Sequence, residues 1–126
     1  MLLESGKVYA SGDNTHGQLG IRGIANSNFF QPVSGIPPLD KVVAISAGAA
    51  HSLVLLENGQ VYASGDNTHG QLGIPGIANS NFFQPVSGIP VSGTPPFVKV
   101  VAIAAGGKHS LVLVDSQAIV EVESFV

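Results

Sequence analysis

Apolar positions along this chain come in short runs rather than at helical spacing. From Lys41 to Ala47 the residues are Val, Ile and small side chains, as in a buried strand. Gly48-Ala49-Ala50 reads as a turn, and His51–Leu56 as a second strand. Glu57-Asn58-Gly59 follows, where Asn-Gly supplies the positive φ that a hairpin turn needs. A third strand, Gln60–Ala63, runs into Ser64-Gly65-Asp66-Asn67, and a long loop then reaches Asn81. The fourth strand, Phe82–Val86, is short and contains Pro85, which lacks an N–H and suits an edge strand. No segment keeps helical spacing, and the Gly and Pro positions would break most helices.

This unit recurs. Val8–Pro37 and Val61–Pro90 agree at every position but one, where Arg22 stands against Pro75, and they lie 53 residues apart (Val8 to Val61). Lys41–Leu56 and Lys99–Val114 match more loosely at an offset of 58 (Lys41 to Lys99). The difference is an insertion around Val91–Pro95, whose Ser, Gly, Thr and Pro suit a loop. Even Leu2–Lys7 mirrors Leu55–Gln60. Four short strands repeated at about 50 residues are the pattern of a propeller blade. A small twisted sheet has two apolar faces and cannot cover both, so it stacks on its neighbours. Ala44, Ser46, Ala47 and Gly48, with Ala102, Ala104, Ala105 and Gly106 as counterparts, are small enough for an innermost strand crowded around an axis.

The unit resembles the repeat of the regulator of chromosome condensation family. The likeness is carried by Gly48-Ala49-Ala50-His51-Ser52 and Gly106-Gly107-Lys108-His109-Ser110, by Val-Tyr-Ala-Ser-Gly at Val8 and Val61, and by Asn-Thr-His-Gly-Gln-Leu-Gly at Asn14 and Asn67. It implies a seven-bladed propeller as the parent fold. Two features depart from the family pattern: Ser11 and Ser64 stand where an aromatic often precedes the Gly, and Ala118–Val126 has no Gly-Gln-Leu-Gly. The expected fold is all-β, with blades of four antiparallel strands and about two blades in the chain. The divisions fall at 1–37 (part blade), 38–90 (full blade) and 91–126 (part blade). A propeller closes with roughly 4–8 blades, so the chain is expected to complete a ring by oligomerisation, or to be a fragment of a longer propeller. Trimers would give six blades and tetramers eight. In the C-terminal stretch, Ile119, Glu121, Glu123 and Phe125 alternate with Val120, Val122, Ser124 and Val126, and carboxylates in an apolar strand suit an exposed outer edge. This stretch and the third-strand segment near the N-terminus compete for the same partner, the second strand of a blade, and the sequence does not choose between them.

Composition narrows the function. The chain has 126 residues, 44% hydrophobic and 10% charged, which is too apolar and weakly charged for intrinsic disorder. Five Lys+Arg against eight Asp+Glu give a net charge of −3 and no footprint for nucleic acid. Without Cys, disulfides, thiolate zinc sites and cysteine catalysis are excluded. The start lacks the basic residues of a secretory signal, and no apolar run nears the ~20 residues that span a bilayer, so a cytoplasmic location away from membranes is expected.

Each candidate for chemistry has a structural reading beside it. His16, His51, His69 and His109 could bind metal or act as general bases, but they recur in every unit, so a ring nitrogen bonding a loop carbonyl within its blade is expected, and no metal or cofactor. Symmetry-related His around an axis are the one route to a metal site. His51-Ser52 and His109-Ser110 cannot form dyads, because neighbours on a strand point to opposite faces. Gly12–Gly17 has Walker-like spacing, but Gln18-Leu19 follows where Lys-Ser or Lys-Thr is required. Asp13 and Asp66 lack the further oxygen ligands of a calcium loop and suit turn capping. The repeat-defining structural positions are therefore Gly48, His51, Gly106, His109, Asp13, His16, Gly17, Gly20, Asp66, His69, Gly70 and Gly73. Of Phe29-Phe30 and Phe82-Phe83, one ring of each pair is expected between blades and the other at an exposed patch or intersubunit contact.

The leading expectation is a non-catalytic scaffold, a two-blade propeller fragment or a designed or recently amplified repeat, whose partners are copies of itself, by strand exchange or blade stacking, or another protein. The alternative implied by the resemblance is guanine-nucleotide exchange on a small GTPase with chromatin binding, for which five basic residues are few.

Overall fold

The computed structural model describes residues 1–89 and 98–116. Both the insertion around Val91–Pro95 and the alternating stretch beyond Ala118 lie outside them. No helix occurs among the described residues, so none is long and apolar enough to cross a membrane.

Eight strands form three antiparallel sheets. The first pairs β1 (Tyr9–Asp13) with β2 (Asn26–Pro32). The second has four strands in sequence order: β3 (Val42–Ala47), β4 (His51–Leu56), β5 (Val61–Asp66) and β6 (Asn79–Pro85). The third pairs β7 (Val98–Ala105) with β8 (Ser110–Ser116). Sequence reading and structure agree on the limits of the second strand of the unit. The third and fourth are longer than their apolar runs, because pairing continues through Ser64-Gly65-Asp66 opposite Asn79-Ser80.

That continuation depends on a bulge. Register shifts between Ala63 and Gly65, and again between Ala10 and Gly12 at the equivalent place in the first sheet. Gly65 sits at φ +121°, and a Cβ there would run into the Ala50 carbonyl and the His51 backbone. The 57–59 turn is the hairpin read from Glu57-Asn58-Gly59. Only Gly59 has positive φ (+89°), and Leu56 N–H bonds the Gln60 carbonyl at 2.8 Å, the geometry of a three-residue loop ending in a left-handed glycine.

The four-stranded sheet is apolar on both faces, and alternation along β4 sorts its residues. Val54 and Leu56 face the first sheet, in a cluster with Val8, Val42 and Phe83. Leu53 and Leu55 face the third, packed with Ile103 and Val100. All four β4 side chains are buried. At about 25 cal/mol per Å² of apolar surface, such two-sided burial is the main force holding the three sheets in register.

Candidate functional site

Sequence reading places its repeat residues in two spots, and the structure brings both to the seams between sheets. The first spot is the loop after the bulge. Asn67 lies buried at its centre, where Nδ2 donates to the Ile74 and Ile77 carbonyls at 2.7 and 2.9 Å and Oδ1 accepts Leu72 N–H at 2.9 Å. Asn14 does the same in the first unit with Ile21, Ile24 and Leu19. These two asparagines open the repeated Asn-Thr-His-Gly-Gln-Leu-Gly motif, which does not by itself mark their amides as buried. Their recurrence at the same place in each unit was the available signal, since a buried amide with three backbone partners is worth keeping wherever the loop is repeated.

Asp66 stands at the loop mouth and accepts Thr68 N–H at 3.0 Å, Thr68 Oγ1 at 3.1 Å and Gln71 Nε2 at 3.1 Å; Asp13 repeats the pattern with Thr15 and Gln18. The backbone N–H of the Thr is the main reason both carboxyls lie below the usual aspartate value. His16 and His69 are exposed beside these loops, each with Nδ1 3.2 Å from its neighbouring Thr hydroxyl. Gly17, Gly20, Gly70 and Gly73 all have positive φ, which lets the loop curl back on itself.

The second spot is the turn before β4. Gly48 N–H bonds the His51 carbonyl at 2.8 Å, and Gly106 N–H bonds the His109 carbonyl at 2.9 Å. A Cβ on Gly48 would strike both the Gly106 carbonyl and the His51 ring, so glycine here is a matter of space. His51 is completely buried, but its partner is not the loop carbonyl expected within its own sheet. Nε2 lies 2.9 Å from Ser110 Oγ of the third sheet. Ser110 Oγ donates to the Gln71 carbonyl at 2.7 Å, so the proton of the His–Ser bond is assigned to Nε2 and Nδ1 is left bare; it has no partner. A serine nucleophile would donate to its histidine, the reverse polarity. Burial holds the His51 pKa below its ordinary value, while the His109 backbone and Asp66 act in the opposite direction.

The seam on the other face is built alike. Ser52 Oγ donates to the Gln18 carbonyl at 2.7 Å and Ser64 Oγ to the Gly17 carbonyl at 2.6 Å. Adjacent His51 and Ser52 thus point to opposite seams, as β-alternation requires. Arg22, the one position at which the two copies differ, sets its guanidinium 4.0 Å above the Phe82 ring. Among the described residues no three His, Asp or Glu side chains gather as metal ligands.

The regulator of chromosome condensation (RCC1) repeat pattern matches residues 5–55 and 58–113, and a second form of it matches residues 42–71. The chain belongs to the RCC1 repeat family. Each sheet is accordingly an RCC1 blade or part of one, and each seam is a blade–blade junction. The human X-linked retinitis pigmentosa GTPase regulator is 39% identical over 90 residues, 71% of this chain and 9% of that protein. Human probable E3 ubiquitin-protein ligase HERC6 is 36% identical over 117 residues, 89% of this chain and 10% of that protein. Yeast RCC1 (Prp20), solved bound to Kap60, superposes with a TM-score of 0.73 at 24% identity, covering 89% of this chain and 27% of that one. The chain therefore spans about a tenth of the length of these two curated relatives, and its fold is a section of a β-propeller.

Proposed function

We propose that this RCC1-repeat chain is a non-catalytic scaffold whose activity is blade-on-blade association with copies of itself into a closed propeller. A single contrast carries this reading. Leu53 on β4 is 1% exposed, whereas Leu111, its counterpart on β8, is 63% exposed. The same apolar strand is thus covered where another sheet packs on it and open on β8 among the described residues, and an open apolar strand edge is a template for another chain. The Ser and His hydrogen bonds support the same reading, because they cross the junctions between blades. Copies that associate this way bury the open faces and remove the edges.

Absolute mass in solution tests it. A small whole-number multiple of 12.8 kDa is expected, and a compact monomer at all concentrations would sink the reading. A second reading has one observation behind it, the likeness to a protein named as a GTPase regulator. On that reading the chain contributes blades to a larger nucleotide-exchange surface. Acceleration of nucleotide release from a small GTPase would favour it over the scaffold.

A further inference from the structure

The junction between the first two blades has a knob, a socket and two hydrogen bonds. Phe83, 3% exposed, is the knob. A Cβ on Gly20 would meet its ring, and one on Gly35 its backbone, so these two glycines form the floor and wall of the socket. Phe83 N–H bonds the Ser34 carbonyl at 2.8 Å and Ser64 Oγ bonds the Gly17 carbonyl at 2.6 Å. The repeat places a second set of all these parts in the chain, and that set is unassembled. The knob is Phe30, 52% exposed. The socket glycines are Gly73, with no atom nearer than 3.7 Å to a Cβ, and Gly88 and Gly70, with nothing within 4 Å. A cleft of about 290 Å³ opens there between the Gly70–Gly73 loop and Ser110 and Val112 of β8.

We infer that the occupant of this cleft is a second copy of the chain, whose β1–β2 pair completes the third blade beside β8 in a defined register. This rests on the scaffold reading above and adds the geometry of the contact. Phe30 of the incoming copy seats on Gly73 and Gly88, Phe30 N–H meets the Ser87 carbonyl, and Ser11 meets the Gly70 carbonyl. The β4–β5 register pairs Leu53 with Ala63 and Val54 with Tyr62. Carried across by the repeat, Leu111 pairs with Ala10 of the incoming copy, and Val112 with its Tyr9. In the isolated chain, Met1–Leu3 already lie on that part of the β1 edge, with Tyr9 N–H bonding the Met1 carbonyl at 2.8 Å. Val112–Val114 replace them one for one, exchanging a short bridge for a full strand. One part of the first junction has no counterpart: Pro75 stands where Arg22 covers Phe82, so the ring of the incoming Phe29 is left uncovered.

The absence of cysteine makes cross-linking clean. Ala10→Cys and Leu111→Cys chains, each prepared alone, then mixed and oxidised, are expected to form a heterodimeric disulfide. Ala10→Cys mixed with Val112→Cys is not, because successive residues of a strand face opposite sides. Phe30→Ala, at an exposed site the fold does not need, is expected to weaken association at least about 10-fold, in the range of a buried aromatic anchor. Pro75→Arg is expected to strengthen it about 2- to 5-fold by restoring the cation over an aromatic ring. Oligomers in which Phe30→Ala changes nothing, or in which the Val112 link forms in place of the Leu111 link, would overturn this register while leaving the scaffold reading intact. A wild-type chain that stays monomeric would overturn both.

Discussion

His51 of the middle blade and Ser110 of the next are joined by a hydrogen bond of 2.9 Å, although 59 residues separate them. Through Ser110 the bond continues to the Gln71 carbonyl, so the interior of one blade is tied to the strand and loop on either side of the junction.

Protonating His51 leaves its Nε2–H on Ser110 Oγ but adds a buried charge and an Nδ1–H with no acceptor, so the charged ring is disfavoured there. Its folded-state pKa lies below the ordinary 6.5. The unfolded chain therefore takes up the proton first as pH falls. Stability should be level above about pH 6.5 and decline below it, down to the folded-state pKa. Urea titrations from pH 5 to 7.5 check the slope, and His51→Gln should flatten it.

Asn67→Ala removes a buried side chain that satisfies two carbonyls and one N–H. We expect a loss of about 2–3 kcal/mol in denaturant titrations. Asn67→Asp keeps the acceptor for Leu72 but turns an oxygen toward the Ile74 and Ile77 carbonyls, and should be at least as damaging.

Gly48→Ala and Gly107→Ala form a matched pair. Gly48 has the Gly106 carbonyl and the His51 ring in the path of a Cβ, whereas Gly107 has nothing within 4 Å. The first should cost about 1–3 kcal/mol, as overpacking does, and the second should leave the melting temperature within error.

Leu53→Ala and Leu111→Ala delete the same side chain from equivalent positions. A loss of about 3 kcal/mol is expected for buried Leu53, against less than about 0.5 for exposed Leu111 at concentrations that favour the free chain. Urea titrations of the two variants at low concentration check the contrast. At concentrations that favour assembly, the Leu111 change should weaken association.

How much of this was legible in the sequence depends on the range of the interaction. The β4 strand, His51–Leu56, could be read residue for residue, because its apolar run is bounded by a glycine turn and by Asn58-Gly59. The ends of β5 and β6 could not, since Ser64 to Asp66 are polar and become strand only by pairing across a bulge. At the seams the recurrent His, Gly and Asp were visible as positions. Their partners were not, because those lie one blade away and adjacency between blades is a product of packing. The role of Asn14 and Asn67 escaped for another reason: asparagine in a loop is ordinary, and nothing local marks one whose amide is buried.

The identity of Tyr9–Asp13 and Tyr62–Asp66 in sequence has a kinetic consequence. To β4, searching for its third-strand neighbour, the two segments are chemically the same, and only chain connectivity separates them: the 57–59 turn delivers β5 at once, while β1 must close a far longer loop. Lengthening that turn would erode the entropic advantage and divert folding molecules into a misthreaded trap, visible as a slow refolding phase that the wild-type turn suppresses.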